Sequence, residues 1–86
     1  MLTDKKGEAA ARDIEDWANR IAGRSDPGLE ITVYDEADSN TYVLRLSEGP
    51  RVLIFRLSGS QVRTDGREVE CERTLQRKIQ DLRNLL

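Results

Sequence analysis

Apolar residues recur along this chain with two different periods, and the change of period divides it into helix, sheet and helix. Between Asp4 and Ala22, the residues Ala10, Ile14, Trp17 and Ile21 follow one another at steps of four, three and four. That spacing puts them on one face of a helix. Arg12, Glu15, Asp16 and Asn19 fall away from the stripe. Asp4 is the candidate N-cap, with Gly7 delaying firm helix until Glu8. Gly23 stands where a left-handed C-terminal residue is wanted, and Asp26-Pro27-Gly28 predicts a turn.

Period two then takes over. Leu29, Ile31 and Val33 alternate with Glu30, Thr32 and Tyr34 in a first strand, Leu29–Tyr34. Tyr42, Leu44 and Leu46 alternate with Val43, Arg45 and Ser47 in a second, Thr41–Ser47. Leu53, Phe55 and Leu57 alternate with Val52, Ile54 and Arg56 in a third, Arg51–Leu57. Asp35–Asn40 is a polar hairpin loop and Glu48-Gly49-Pro50 a tight connection, so the strands form an antiparallel meander. After the turn-like Ser58-Gly59-Ser60 two readings stay open. Gln61–Thr64 is a short fourth strand, with Asp65-Gly66 as a hairpin turn and Arg67–Glu70 returning. Alternatively Asp65, with Glu68 three residues later, opens the last helix as a capping box, and this is the preferred reading. Leu75, Ile79, Leu82 and Leu86 make the apolar stripe of that helix, Glu68–Leu86, with Cys71 one turn upstream.

The expected fold class is therefore α+β, in the order α-β-β-β(-β)-α: an antiparallel meander sheet with two helices packed on one face, in a single small domain, 1–86. The predicted core is Ile14, Trp17, Ile21, Leu29, Ile31, Val33, Tyr42, Leu44, Leu46, Leu53, Phe55, Leu57, Leu75, Ile79 and Leu82. Each such side chain contributes roughly 1.5–3 kcal/mol on burial, against the entropy of ordering so short a chain.

The opposite strand parity carries Tyr34, Val43, Val52 and Ile54 among Arg45, Arg56 and Arg63. One face of an antiparallel sheet can meet water, but normally with polar residues. Apolar and arginine side chains interleaved are the composition of an interface. Ordinary β-formers whose apolar atoms are covered by arginine stems would give the same pattern. Leu85, beside the stripe of the last helix, offers a second surface for a partner.

Composition narrows the chemistry. Charged residues make up 35% of the chain and hydrophobic ones 37%, with both signs interspersed and a net charge of −2. That balance argues for folding over block-charged disorder and gives no general attraction to nucleic acid or anionic membrane. The absence of histidine removes Ser-His-Asp and Cys-His arrangements and histidine metal sites. Cys71 is the single cysteine, so no intrachain disulfide forms. Glu70 and Glu72 beside it oppose a thiolate, and its place on the apolar stripe makes it structural. The oxygen-rich loop Asp35–Asn40 lacks the spacing and the glycine of an EF-hand and reads as a solvated hairpin loop. Gly49, Gly59 and Gly66 are isolated turn residues, not a phosphate loop. Asp13, Glu15 and Asp16 stand beside Arg12 and Arg20 as an ion-paired helix surface. No enzyme activity, metal or cofactor is expected. Met1–Glu8 has no apolar stretch of the signal-peptide kind, and no run approaches the ~18 residues of a membrane span, so a cytoplasmic location without membrane contact is expected.

The order α-β-β-β-α resembles, in topology alone, that of the double-stranded RNA-binding domain. The resemblance implies phosphate contacts from a lysine cluster opening the second helix. Here that stretch is Arg67-Glu68-Val69-Glu70-Cys71-Glu72-Arg73, whose glutamates suit the helix dipole and repel phosphate. A nucleic-acid module would instead use Arg45, Arg56 and Arg63, with Tyr34 for base stacking. The leading expectation is a non-enzymatic protein-interaction domain that forms a homodimer through the open sheet face or its edge, with nucleic-acid binding as the alternative.

Overall fold

The computed structural model describes residues 1–85. Its elements are α1 (Gly7–Ser25), β1 (Glu30–Glu36), β2 (Thr41–Glu48), β3 (Arg51–Ser58), α2 (Gly59–Arg63) and α3 (Glu68–Arg83). The strands form one antiparallel sheet in the order β1-β2-β3, with Ile31 opposite Leu46, Val33 opposite Leu44, Leu44 opposite Phe55 and Tyr42 opposite Leu57. The meander and the α+β order follow the alternation of the sequence.

Both long helices contact the sheet, α1 chiefly along β1 and α3 along β3. The core between them contains Ile14, Leu44, Leu46, Leu57, Leu75 and Leu82, each less than 2% exposed. The apolar stripe of α1 is broader than its large residues suggest. Ala10, Ala11, Ala18 and Ala22 are buried, which lets the helix approach closely, while Trp17 is half-buried at the margin and packs against the core from there. Leu53, expected in the core, is likewise half-buried at its edge.

The helix boundaries differ from the sequence reading for local reasons. Asp4 does not cap α1: the N-cap position is Lys6, and Gly7 turns the chain into the helix with φ of 63°. Thr3 fixes this entry instead, donating from Oγ1 to Asp13 Oδ2 at 2.8 Å and accepting from the Lys5 N–H at 3.0 Å. Gly23 lies inside α1, not at its end. The helix runs on to Ser25 and stops where Pro27 forces Asp26 into an extended conformation, φ −155°.

The fourth strand does not form. Residues 59–63 are helix α2, because Ser58 and Gln61 make a reciprocal capping box: the Gln61 N–H donates to Ser58 Oγ at 3.0 Å and the Ser58 N–H to Gln61 Oε1 at 2.8 Å. Val62, on this helix, is fully buried. Asp65 does not cap the last helix, which begins at Glu68 behind Arg67, while Glu68 Oε2 accepts from the Gly66 N–H at 3.1 Å. Cys71, Leu75, Ile79 and Leu82 form its buried stripe. Leu86, placed on that stripe from the sequence, lies outside the described residues.

Candidate interaction surface

The pairing register places the outer-parity residues in rows across the sheet. Tyr34, Val43 and Arg56 form one row, Thr32, Arg45 and Ile54 the next, and Glu30, Ser47 and Val52 the third. Tyr34 is 51% exposed, Ile54 53% and Val52 40%, while Val43 and Arg45 are half-buried among them. No helix covers this side. Arg45, at its centre, forms no hydrogen bond or ion pair among the described residues.

Arg56 is engaged within the face. Its Nε and Nη2 donate to the two carboxylate oxygens of Glu36, at 3.2 and 3.4 Å. Glu36 also accepts from Ser39 Oγ and Thr41 Oγ1. Arg56 first, then these hydroxyls, hold the Glu36 pKa below its ordinary value. The oxygen-rich loop thus directs Glu36 to the arginine, through a short 3-10 turn (Ala37–Ser39) closed by Asn40 in the left-handed region. Among the described residues no group of His, Cys, Asp and Glu side chains is arranged to hold a metal.

Arg63 does not belong to the face. It lies on α2 and donates to Tyr42 Oη at 3.1 Å, Asn40 Oδ1 at 2.9 Å and the Lys5 carbonyl at 3.4 Å. It ties α2 to the start of β2 and to the N-terminal segment. A cleft of about 420 Å³ opens beside it, lined also by Lys6, Gly7 and Asp35. Three of its lining residues, Arg63, Tyr42 and Asn40, are bonded to one another.

Cys71 is fully buried, and burial first, then Glu70, pushes its thiol pKa up. Its Sγ lies 3.8 Å from the Gln61 carbonyl, a core contact between α2 and α3. Leu85 is 39% exposed, on the last turn of the chain described.

The two edges of the sheet differ in a way that strand alternation does not encode. On β1, three of the backbone groups facing away from β2 are bonded by side chains of α1. The Asn19 side-chain amide donates to the Ile31 carbonyl at 2.9 Å and accepts from the Ile31 N–H at 3.1 Å. Glu15 Oε1 accepts from the Val33 N–H at 2.9 Å. A mid-helix asparagine at a polar position was the only sequence signal of this clamp, because Asn is a poor helix former without a specific bond to make. The β3 edge receives no such cover along its middle.

No family model, curated protein or solved structure matched the chain in comparisons with known proteins.

Proposed function

We propose that this chain is a non-enzymatic protein-interaction domain that self-associates through the open side of its sheet. The observation that carries the reading is the exposure of Tyr34, Val52 and Ile54 together on one uncovered face. Val52 and Ile54 on β3 and Tyr34 on β1 flank the half-buried Val43 and Arg45 of β2, and apolar side chains around a central arginine have the composition of an interface core. A charge at position 54 opposes burial, whereas isoleucine there favours it. The reducing cytoplasm is the compartment that suits a domain of this size with one free thiol and no disulfide.

Sedimentation velocity across a concentration series tests the reading. A dimer at high micromolar concentration that Ile54→Asp weakens by about tenfold or more supports it. A strict monomer at that concentration, unchanged by the substitution, refutes it. The nucleic-acid alternative retains Arg45 as its one unengaged arginine of the three, since Arg56 is neutralised by Glu36 and Arg63 is bonded elsewhere. Binding of labelled duplex or single-stranded RNA that weakens with salt and drops in Arg45→Ala would favour it.

A further inference from the structure

The direction of the backbone groups in β3 follows from the clamp on β1. Ile31 and Val33 turn their N–H groups to α1, so their opposite residues on β2, Leu46 and Leu44, turn theirs to β3. Leu46 and Leu44 therefore exchange hydrogen bonds with Leu53 and Phe55. The alternate residues of β3, Val52, Ile54 and Arg56, point both N–H and C=O out of the sheet. None of these groups meets a protein donor or acceptor among the described residues.

The open run has definite ends. Two residues beyond Arg56, the Ser58 N–H is taken by Gln61 Oε1. Two residues before Val52 stands Pro50, which has no N–H. The free segment is thus Val52, Ile54 and Arg56, symmetric about Ile54. The two helices treat their strands differently: α1 bonds the outward groups of β1 through Asn19 and Glu15, whereas no α3 side chain bonds the outward groups of Val52, Ile54 and Arg56 among the described residues.

We infer that the β3 edge pairs with β3 of a second copy of this chain, antiparallel about a two-fold axis at Ile54, making one continuous six-stranded sheet. This rests on the self-association reading but places the contact at the β3 edge in place of the open face. In that register Ile54 faces Ile54 of the partner subunit, and Val52 of each copy faces Arg56 of the other, so every outward N–H and C=O of the free run finds its complement. A parallel, in-register pairing would set Arg56 against Arg56 and Arg51 against Arg51, with like charges opposed. The antiparallel arrangement opposes none, and it is isologous and closed, ending at a dimer. It also extends the apolar face of Val52 and Ile54 across the junction.

The test combines backbone-directed variants with amide exchange. Val52→Pro and Ile54→Pro remove outward N–H groups that the single copy does not use, and an edge strand accommodates proline there. Tyr34→Asp alters the face far from the edge. The expected result is a dimer in the unaltered chain, lost in Val52→Pro and Ile54→Pro at retained circular dichroism, and kept in Tyr34→Asp. Exchange of the Val52, Ile54 and Arg56 amides in the unaltered chain should slow by roughly tenfold or more between dilute and concentrated solution. This measurement decides the matter even where a proline variant fails to fold. A dimer whose formation leaves those amides unprotected, and which Tyr34→Asp abolishes, overturns the edge pairing and leaves face-mediated association standing. No self-association at all overturns both.

Discussion

Removing the Asn19 side chain tests the clamp that closes the β1 edge. Asn19→Ala deletes both bonds to Ile31, at 2.9 and 3.1 Å, and leaves its N–H and C=O under helix α1 without partners. Each bond of this kind contributes about 1 kcal/mol net, and an unpaired, partly buried group costs about as much or more. The new alanine returns about 0.5 kcal/mol through its better helix propensity, and the bond from Asn19 to the Glu15 carbonyl, which only orients the amide, disappears with the rest. The expected net loss is about 1.5 kcal/mol, a fall of about 6–12 °C in melting temperature for a domain of this size. Asp16→Ala, at an exposed position on the same helix, is the control. Urea and thermal unfolding of both variants measure the difference, and exchange of the Ile31 amide locates it. A melting temperature within about 2 °C of the control, with Ile31 still protected, would refute the argument, since ΔΔG would then be too small for two made bonds.

Three further outcomes follow from particular contacts. Burial raises the Cys71 pKa, so the folded protein should react with a thiol reagent at neutral pH at least about a hundredfold more slowly than in denaturant; comparable rates would show an accessible thiol. Glu48 has a raised pKa because its carboxyl shares a hydrogen bond with Asp26, which is lowered by the same bond. The stability from protonated Glu48 is full below the unfolded value near 4.5 and is lost as pH rises through the raised folded value, whereas that from ionised Asp26 is lost as pH falls through its lowered one. Glu48→Gln keeps the bond at every pH, so its melting curve should gain on the unaltered chain from pH 4.5 toward neutrality, and parallel pH profiles would contradict the shared bond. Gly59 lies under the hydrogen bond between Arg63 and Asn40, so a methyl there meets both side chains. Gly59→Ala should lower stability by about 1–3 kcal/mol by chemical denaturation, and by clearly less in an Arg63→Ala background.

The strands were legible in the sequence because their faces are unequal. Ile31 and Val33, Leu44 and Leu46, and Phe55 and Leu57 alternate with polar or mixed residues, and a one-residue slip would turn all of them outward. The outer face was legible by the same parity. What stayed hidden depended on contacts between distant segments. Asn19 reads as a surface residue until Ile31 is placed beside it, and Arg63 reads as a strand residue until Tyr42 and Asn40 supply its partners. Residues 61–64 are the exception, since their signal was local: Ser58 and Gln61 stand at capping-box spacing, and their reciprocal bonds make the segment helix although its weak alternation passes for a strand. The free backbone groups of β3 carry no side-chain signature. Their direction depends on which residues α1 clamps on the opposite edge.

The order of the strands has a kinetic consequence. Each strand pairs with its neighbour in sequence, and α1 packs on the strand that follows it, so most of the structure is built from local contacts of the kind that form quickly. The long-range closures are α3 folding back onto β3 and onto α1, where Arg83 reaches the Ser25 carbonyl, and the N-terminal segment, whose Leu2 N–H donates to the Val62 carbonyl at 2.8 Å. α3 is therefore expected to dock late on the folding route. Truncations in its stripe are expected to act mainly by accelerating unfolding, so that the grip of α3 on β3, more than the speed at which the sheet assembles, sets how long a native molecule lasts; stopped-flow rates of folding and unfolding check this.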